Sequence, residues 1–65
     1  MIWTKKNGVW LSGGWAVTRL GNKKYALHQD MGPGNWREFG RAASLEAAKA
    51  GQVTRPGAKE VVAAW

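Results

Sequence analysis

Residues 15–29 read WAVTRLGNKKYALHQ, two runs that contain aromatic, β-branched and other apolar residues on either side of a Gly-Asn-Lys segment. Such runs are typical of strands, and glycine and asparagine are common in the turn of a β-hairpin. The stretch therefore predicts an antiparallel hairpin with one strand over 15–20 and the returning strand over 24–29.

The length of the turn determines which side chains share a face of this hairpin. A two-residue turn at 21–22 pairs Thr18 with Tyr25, whereas a three-residue turn at 21–23 pairs Arg19 with Tyr25. The second register places the larger apolar side chains on one face: Trp15, Val17, Tyr25 and Leu27. The opposite face, which one helix leaves open, then carries Ala16, Thr18, Leu20, Lys24, Ala26 and His28. We predict the second register, because one face must be buried in a chain this short.

Further elements extend the hairpin in both directions. Asn7-Gly8 predicts another turn between short strands at 2–4 and 9–11, and residues 36–41 (WREFGR) predict a third main strand. The expected fold is α+β, an antiparallel three-stranded sheet, extended to four or five strands if the N-terminal hairpin joins it. One C-terminal helix packs on this sheet. We expect Phe39 in the core and Trp36 towards solvent.

The helix is predicted from Ser44, whose side chain suits an N-cap, through an alanine-rich run to about Thr54. Pro56 disfavours a helical residue before it, and Gly51 is an alternative end. The tail after Pro56 predicts either a short helix or a disordered end that docks through Trp65. The predicted core is Trp15, Val17, Tyr25, Leu27, Phe39, Leu45 and Ala48.

The 65 residues are expected to form a single small domain. Its parts are an N-terminal hairpin or extension over 1–12, a meander over 15–41, a helix over 44–55 and a tail over 56–65. There is no cysteine, no stretch near the ~20 apolar residues of a membrane span, and no apolar core of a secretory signal. These features predict a cytoplasmic protein without a membrane span.

The chemistry-bearing residues are few. His28 is the sole histidine, and the four acids are scattered, so neither a catalytic group nor a metal-ligand spacing is evident. The glycines around Pro33 precede a strand rather than a helix, unlike a phosphate-binding loop. We therefore expect a non-enzymatic protein with no cofactor and no metal.

Charge is the strongest functional indication. Ten basic residues against four acids give a net charge of +6, and the first 29 residues contain no acid. This favours an acidic partner, and cations interleaved with aromatic strands favour nucleic acid, with duplex DNA the expected partner. The predicted nucleic-acid-binding residues, on the open sheet face and the turns, are Lys5, Lys6, Arg19, Lys23, Lys24, His28, Trp36, Arg37 and Arg41.

Residues 13–52 resemble two families of DNA-binding domain. The counterparts are Gly14-Trp15-Ala16-Val17, Lys23-Lys24-Tyr25, Trp36-Arg37-Glu38-Phe39-Gly40 and the helix Ser44-Leu45-Glu46-Ala47-Ala48-Lys49-Ala50. This order is similar to the APETALA2/ethylene-response-factor domain and to the arm-site-binding domain of phage and transposon integrases. The resemblance implies that an open three-stranded sheet reads DNA.

A second interpretation is a protein-interaction module. Small tryptophan-, glycine- and alanine-rich chains also look like the accessory proteins of bacteriophages, which implies a viral protein that modulates a host protein or self-associates. A contiguous patch of exposed tryptophans away from the lysines would favour this alternative.

Overall fold

The computed structural model describes residues 2–65 and contains a seven-stranded antiparallel sheet whose strands lie in sequence order. The strands are β1 (Thr4–Lys6), β2 (Val9–Ser12), β3 (Trp15–Gly21), β4 (Lys24–Asp30), β5 (Trp36–Ala42), β6 (Gln52–Thr54) and β7 (Val61–Ala63). One helix, α1 (Leu45–Lys49), connects β5 to β6. The α+β character is confirmed, but the sheet exceeds the predicted three to five strands and the helix is not C-terminal.

The register predicted for the central hairpin is confirmed. Arg19 pairs with Tyr25, Val17 with Leu27 and Trp15 with Gln29. The turn that produces this register is nevertheless shorter than expected, because Gly21 pairs with Lys24 and a bulge between Arg19 and Gly21 takes up the additional residue. A three-residue turn, or a two-residue turn with a bulge, gives the same pairs from Arg19–Tyr25 to Trp15–Gln29. The sequence therefore did not distinguish these two ways of forming the hairpin.

The core lies between α1 and one face of the sheet. Val17, Leu27, Ala48 and Val53 are fully buried there. The other predicted core side chains pack around them while retaining some exposure: Trp15, Tyr25, Phe39 and Leu45. All seven predicted core residues therefore belong to this cluster, and Val53 is the fully buried member that was not predicted.

Strands β5 and β6 approach each other closely at Gly40. A Cβ at this position would lie 2.5 Å from Val53 Cγ2 and 3.1 Å from the Thr54 carbonyl oxygen. A second bulge, between Leu27 and His28 on the β4–β5 ladder, allows Phe39 to turn its ring against Trp15, with the ring centroids 5.5 Å apart.

Helix α1 begins as predicted and ends earlier than predicted. The Ser44 hydroxyl accepts a hydrogen bond of 3.1 Å from the Ala47 N–H, which makes Ser44 the N-cap. The helix stops at Lys49 because Gly51 adopts a φ of 74° and donates to the Ala48 carbonyl at 3.1 Å. The predicted continuation to Thr54 is wrong, since residues 52–54 form β6 instead, and the alternative end at Gly51 is confirmed.

Replacing Ser44 with alanine should lower the free energy of unfolding by about 1 kcal/mol, because the Ala47 N–H loses its acceptor. For a domain of this size that corresponds to a decrease in Tm of about 4–8 °C. Thermal denaturation followed by circular dichroism measures it, with Ser44→Asp as the control that retains an acceptor. Equal midpoints for the wild type and Ser44→Ala would contradict a stabilising cap.

The tail is neither the helix nor the disordered end that the sequence predicted. It contains β7, which pairs with β6, and Trp65 then packs on Trp15 and Trp3 with ring centroids 5.1 and 6.2 Å apart. The predicted docking of the Trp65 side chain is therefore confirmed, although the segment before it is a strand. Trp3 and Trp65 flank opposite edge strands, so the sheet curls until its two edges approach over the core.

Among residues 2–65, no helix has both the length and the apolar character required to cross a membrane.

Candidate nucleic-acid interface

Two lysine-bearing turns lie at the same end of the sheet. Because each strand of a meander reverses the chain, the β1–β2 turn at 7–8 and the β3–β4 turn at 22–23 share one end. We call this the cationic end, defined by Lys5, Lys6, Arg19, Lys23 and Lys24. All five side chains are exposed, and no acid occurs in residues 2–29 of the described chain.

Residues with positive φ occur at both turns. Asn7 and Gly8 have φ values of 52° and 79°, the left-handed pair that a tight hairpin turn requires. Lys23 also adopts a positive φ, 56°, which is uncommon for a lysine and projects it from the tip of the turn. The two turns therefore present lysines at fixed positions on neighbouring hairpins.

The strand register divides the predicted residues that lie on strands between the two faces. Lys5 and Arg37 pair with Trp10 and Gln29, and so lie, like Arg19, on the face that packs against α1. The opposite face, which we call the open face, carries Lys6, Lys24, His28, Trp36 and Arg41. The nine residues are thus not brought together on a single surface.

Several of the predicted cations already have partners within the chain. Arg19 donates from Nη2 to Asn22 Oδ1 at 3.2 Å, and Lys5 Nζ lies 5.1 Å from the centroid of the Trp10 ring. Arg41 Nε donates to Glu38 Oε1 at 2.6 Å, and this bond raises the pKa of Arg41 above its ordinary value. Lys6 and Lys24 are the open-face cations of the described chain without such an ion pair.

The open face has a groove because its central strand carries small side chains. Ala16 and Thr18 lie on β3 between larger residues on both sides, Val9 and Leu11 from β2 and His28 from β4. Although Ala16 faces away from α1, it is only 5% exposed, because these neighbours surround it. The resulting open groove has a volume of ≈ 490 Å³, within the range of ligand-binding clefts.

The two ends of the groove differ in character. Lys6 and Asn7 line it at the cationic end, and Trp36 lines it on the far side. His28 lies between them, and a hydrogen bond of 3.0 Å between its Nε2 and the Thr18 Oγ1 restricts its ring. Ala16 and Thr18 are on the face that their register predicts, whereas no sequence pattern marks Asn7, Val9 and Leu11 as members of a site.

Trp36 differs from the other four tryptophans. Trp3, Trp10 and Trp15 pack against the core, and Trp65 contacts two of those rings. Trp36 lies on the open face, 43% exposed, which confirms its predicted position. The exposed tryptophans therefore do not form one contiguous apolar patch on a single face.

The described residues contain no group of three or more histidine, cysteine or acidic side chains arranged to hold a metal ion. His28 has Thr18 as its hydrogen-bond partner rather than Asp30, whose Oδ1 accepts from the Gly32 N–H at 2.9 Å.

No protein-family model matches this chain, and no curated protein or solved structure matches it.

Proposed function

We propose that this chain is a small non-enzymatic nucleic-acid-binding module that contacts phosphates through its cationic end. The observation that carries the proposal is the convergence of two lysine turns, from separate hairpins, at one end of the sheet. Five cations gathered without an acid in residues 2–29 repel one another, and a polyanion relieves that repulsion.

The spacing of the turns also supports phosphate contacts. Strands in a sheet are about 4.8 Å apart, so two hairpins centred two strands apart present their lysines roughly 10 Å from each other. Lysines contact phosphate as flexible point charges, which tolerates a range of backbone positions. Such contacts position a protein on nucleic acid without reading its sequence.

We also propose that the chain is related to the two families of three-stranded DNA-binding domain that residues 13–52 resemble. Its support is the succession of β3, β4, β5 and α1, which follows the strand–strand–strand–helix order of those families. Four further strands surround this unit, and Arg19 and Arg37 lie on the face covered by α1. We therefore propose phosphate contact at the end of the sheet rather than base reading by its face.

Salt dependence tests the proposal. Affinity for a labelled duplex of random sequence should fall as salt rises, with a log–log slope of about −0.9 for each phosphate contacted. Lys23→Ala combined with Lys24→Ala should reduce the magnitude of the slope by about two units and weaken all sequences alike. Fluorescence anisotropy across a salt series measures both quantities.

The matched control is Arg55→Gln combined with Lys59→Gln, which removes two charges after β6, away from the cationic end, and keeps part of the Arg55 side chain that packs on the Phe39 ring. This control lowers net charge equally, so its slope should remain close to that of the wild type. Equal loss in both double variants would assign the binding to net charge alone and contradict a localised site.

A protein partner is the second candidate, favoured by the apolar groove on the open face. Val9, Leu11 and Ala16 together offer an apolar floor of the kind that accepts side chains from a partner. If the wild-type protein fails to bind nucleic acid at low salt and instead forms a tight complex with another protein, this second function replaces the first.

A further inference from the structure

We infer that the open-face groove binds single-stranded nucleic acid, with one base stacked on Trp36 and the adjoining backbone directed towards Lys6. This inference rests on the proposed function and specifies its ligand. It is carried by the groove itself, which joins an aromatic ring on one side to the cationic end on the other.

The apolar lining of the groove selects against a duplex. A duplex presents phosphates and sugars outward and keeps the faces of its bases stacked within. Val9, Leu11 and Ala16 offer no donors to phosphate oxygens, and their contact with a charged backbone would require its desolvation. A single strand can instead turn the flat face of a base towards these side chains, because its bases are free to unstack.

Trp36 has the surroundings of a stacking platform. Its ring is 43% exposed, and among the described aromatic residues it has no ring partner, unlike Trp3, Trp10, Trp15 and Trp65. Burial in the core therefore does not account for a tryptophan at this position. Aromatic rings exposed beside a cationic groove are the recurring feature of proteins that bind single strands without sequence preference.

Charge complementarity determines the direction of the strand across the groove. On the open face, Lys6 lies at the cationic end, whereas Asp30 and Glu38 lie near Trp36 on the far side. The Arg41 side chain neutralises Glu38 through their ion pair. The phosphates are thus attracted to the Lys6 end, and the base, which is uncharged, occupies the Trp36 side.

The first experiment compares ligands on the intact protein. The probes are a labelled oligothymidylate of about 12 nucleotides, within the roughly 4–16 covered by small single-strand-binding folds, and a duplex of equal length. The oligothymidylate should bind more tightly. Inorganic polyphosphate, which has the charge but no bases, serves as a competitor that reports the cationic end alone.

The Trp36→Ala variant should weaken oligothymidylate binding by about 5-fold to 150-fold, the usual range for loss of one stacked base. Its affinity for polyphosphate should be unchanged. Trp36→Phe should retain most of the affinity because it retains a ring, whereas Trp36→Leu should not. Val61→Ala, which truncates an exposed apolar side chain outside the groove, is the control and should bind as the wild type does.

A cross-linking measurement addresses the same contact without changing the protein. Oligonucleotides that contain 5-iodouracil form photo-cross-links with aromatic side chains on which the base stacks, and mass spectrometry identifies the attached residue. A cross-link at Trp36 is expected. Cross-links confined to other residues would overturn the inference.

The outcomes separate this inference from the proposed function. If Trp36→Ala weakens polyphosphate and oligothymidylate equally, or weakens neither, the groove is not the base site, while salt-dependent binding by the wild type still supports the cationic end. If the wild type binds neither nucleic acid at low salt, both proposals fail. If an acidic peptide containing aromatic residues binds more tightly than oligothymidylate and depends on Trp36, the groove is a protein-docking site and the inference is overturned.

Discussion

Replacing Trp15 with alanine should lower the free energy of unfolding by about 3–5 kcal/mol, which is the usual cost of removing a large aromatic side chain from a core. The Trp15 ring contacts Phe39 and Trp65, with centroids 5.5 and 5.1 Å away, so its loss removes the contact that connects β5 to the C-terminus. A domain of 65 residues has roughly 3–10 kcal/mol in total. The variant should therefore be largely unfolded or should melt at a much lower temperature.

Urea denaturation followed by circular dichroism measures this loss. Trp36→Ala is the matched control, because it removes the same side chain from an exposed position on the other face and should cost about 1 kcal/mol or less. Trp15→Phe should recover part of the stability because it keeps an aromatic ring in the cluster. A Trp15→Ala protein that is as stable as Trp36→Ala would contradict the arrangement of the core.

Replacing Gly51 with alanine should lower the free energy of unfolding by about 2–5 kcal/mol, from two separate causes. The first is backbone strain, since a φ of 74° costs a residue with a Cβ about 1–2 kcal/mol. The second is steric, because the new Cβ would lie 2.7 Å from Cε2 of Trp65 and would displace that ring. Displacement also disturbs the hydrogen bond of 2.7 Å that the Ala64 N–H donates to the Gly51 carbonyl.

Gly57 separates the two causes. Its φ is 80°, close to that of Gly51, but no atom lies within 4 Å of the position of a Cβ. Gly57→Ala should therefore show the backbone cost alone, and the difference between the two variants should report the docking of Trp65. In a Trp65→Ala background, Gly51→Ala should cost no more than Gly57→Ala does; a persisting difference would exclude Trp65 as the cause.

The candidate site was only partly accessible to sequence analysis. Charge indicated the lysine turns, and the predicted register of the β3–β4 hairpin indicated that Ala16 and Thr18 share a face with His28. The groove itself depends on β2, which brings Val9 and Leu11 beside β3, and on the pairing of β5 with β4, which brings Trp36 to the same face. These are pairings between separate strands, and a single sequence does not specify which strands become neighbours.

The helix illustrates the boundary between local and non-local information. Ser44 and the alanine-rich run after it determined where α1 begins, because a cap is satisfied by an N–H three residues away. The sequence allowed two ends for α1, at Gly51 or near Thr54, and local information did not decide between them. Gln52-Val53-Thr54 is too short to show a period of two, and it becomes a strand because Val53 packs against Gly40 and Thr54 pairs with Arg41.

The sequence by itself determined the register of the central hairpin, seven residues of the core, the start of the helix and the uneven distribution of charge. Each depends on the identity of residues close along the chain or on the need to bury one face. Tertiary structure alone decided the formation of β6 and β7, the docking of Trp65 over Gly51 and the groove beside Trp36. These features depend on contacts between residues far apart in the chain, whose stabilisation appears only after the sheet has curled and brought its two edges together.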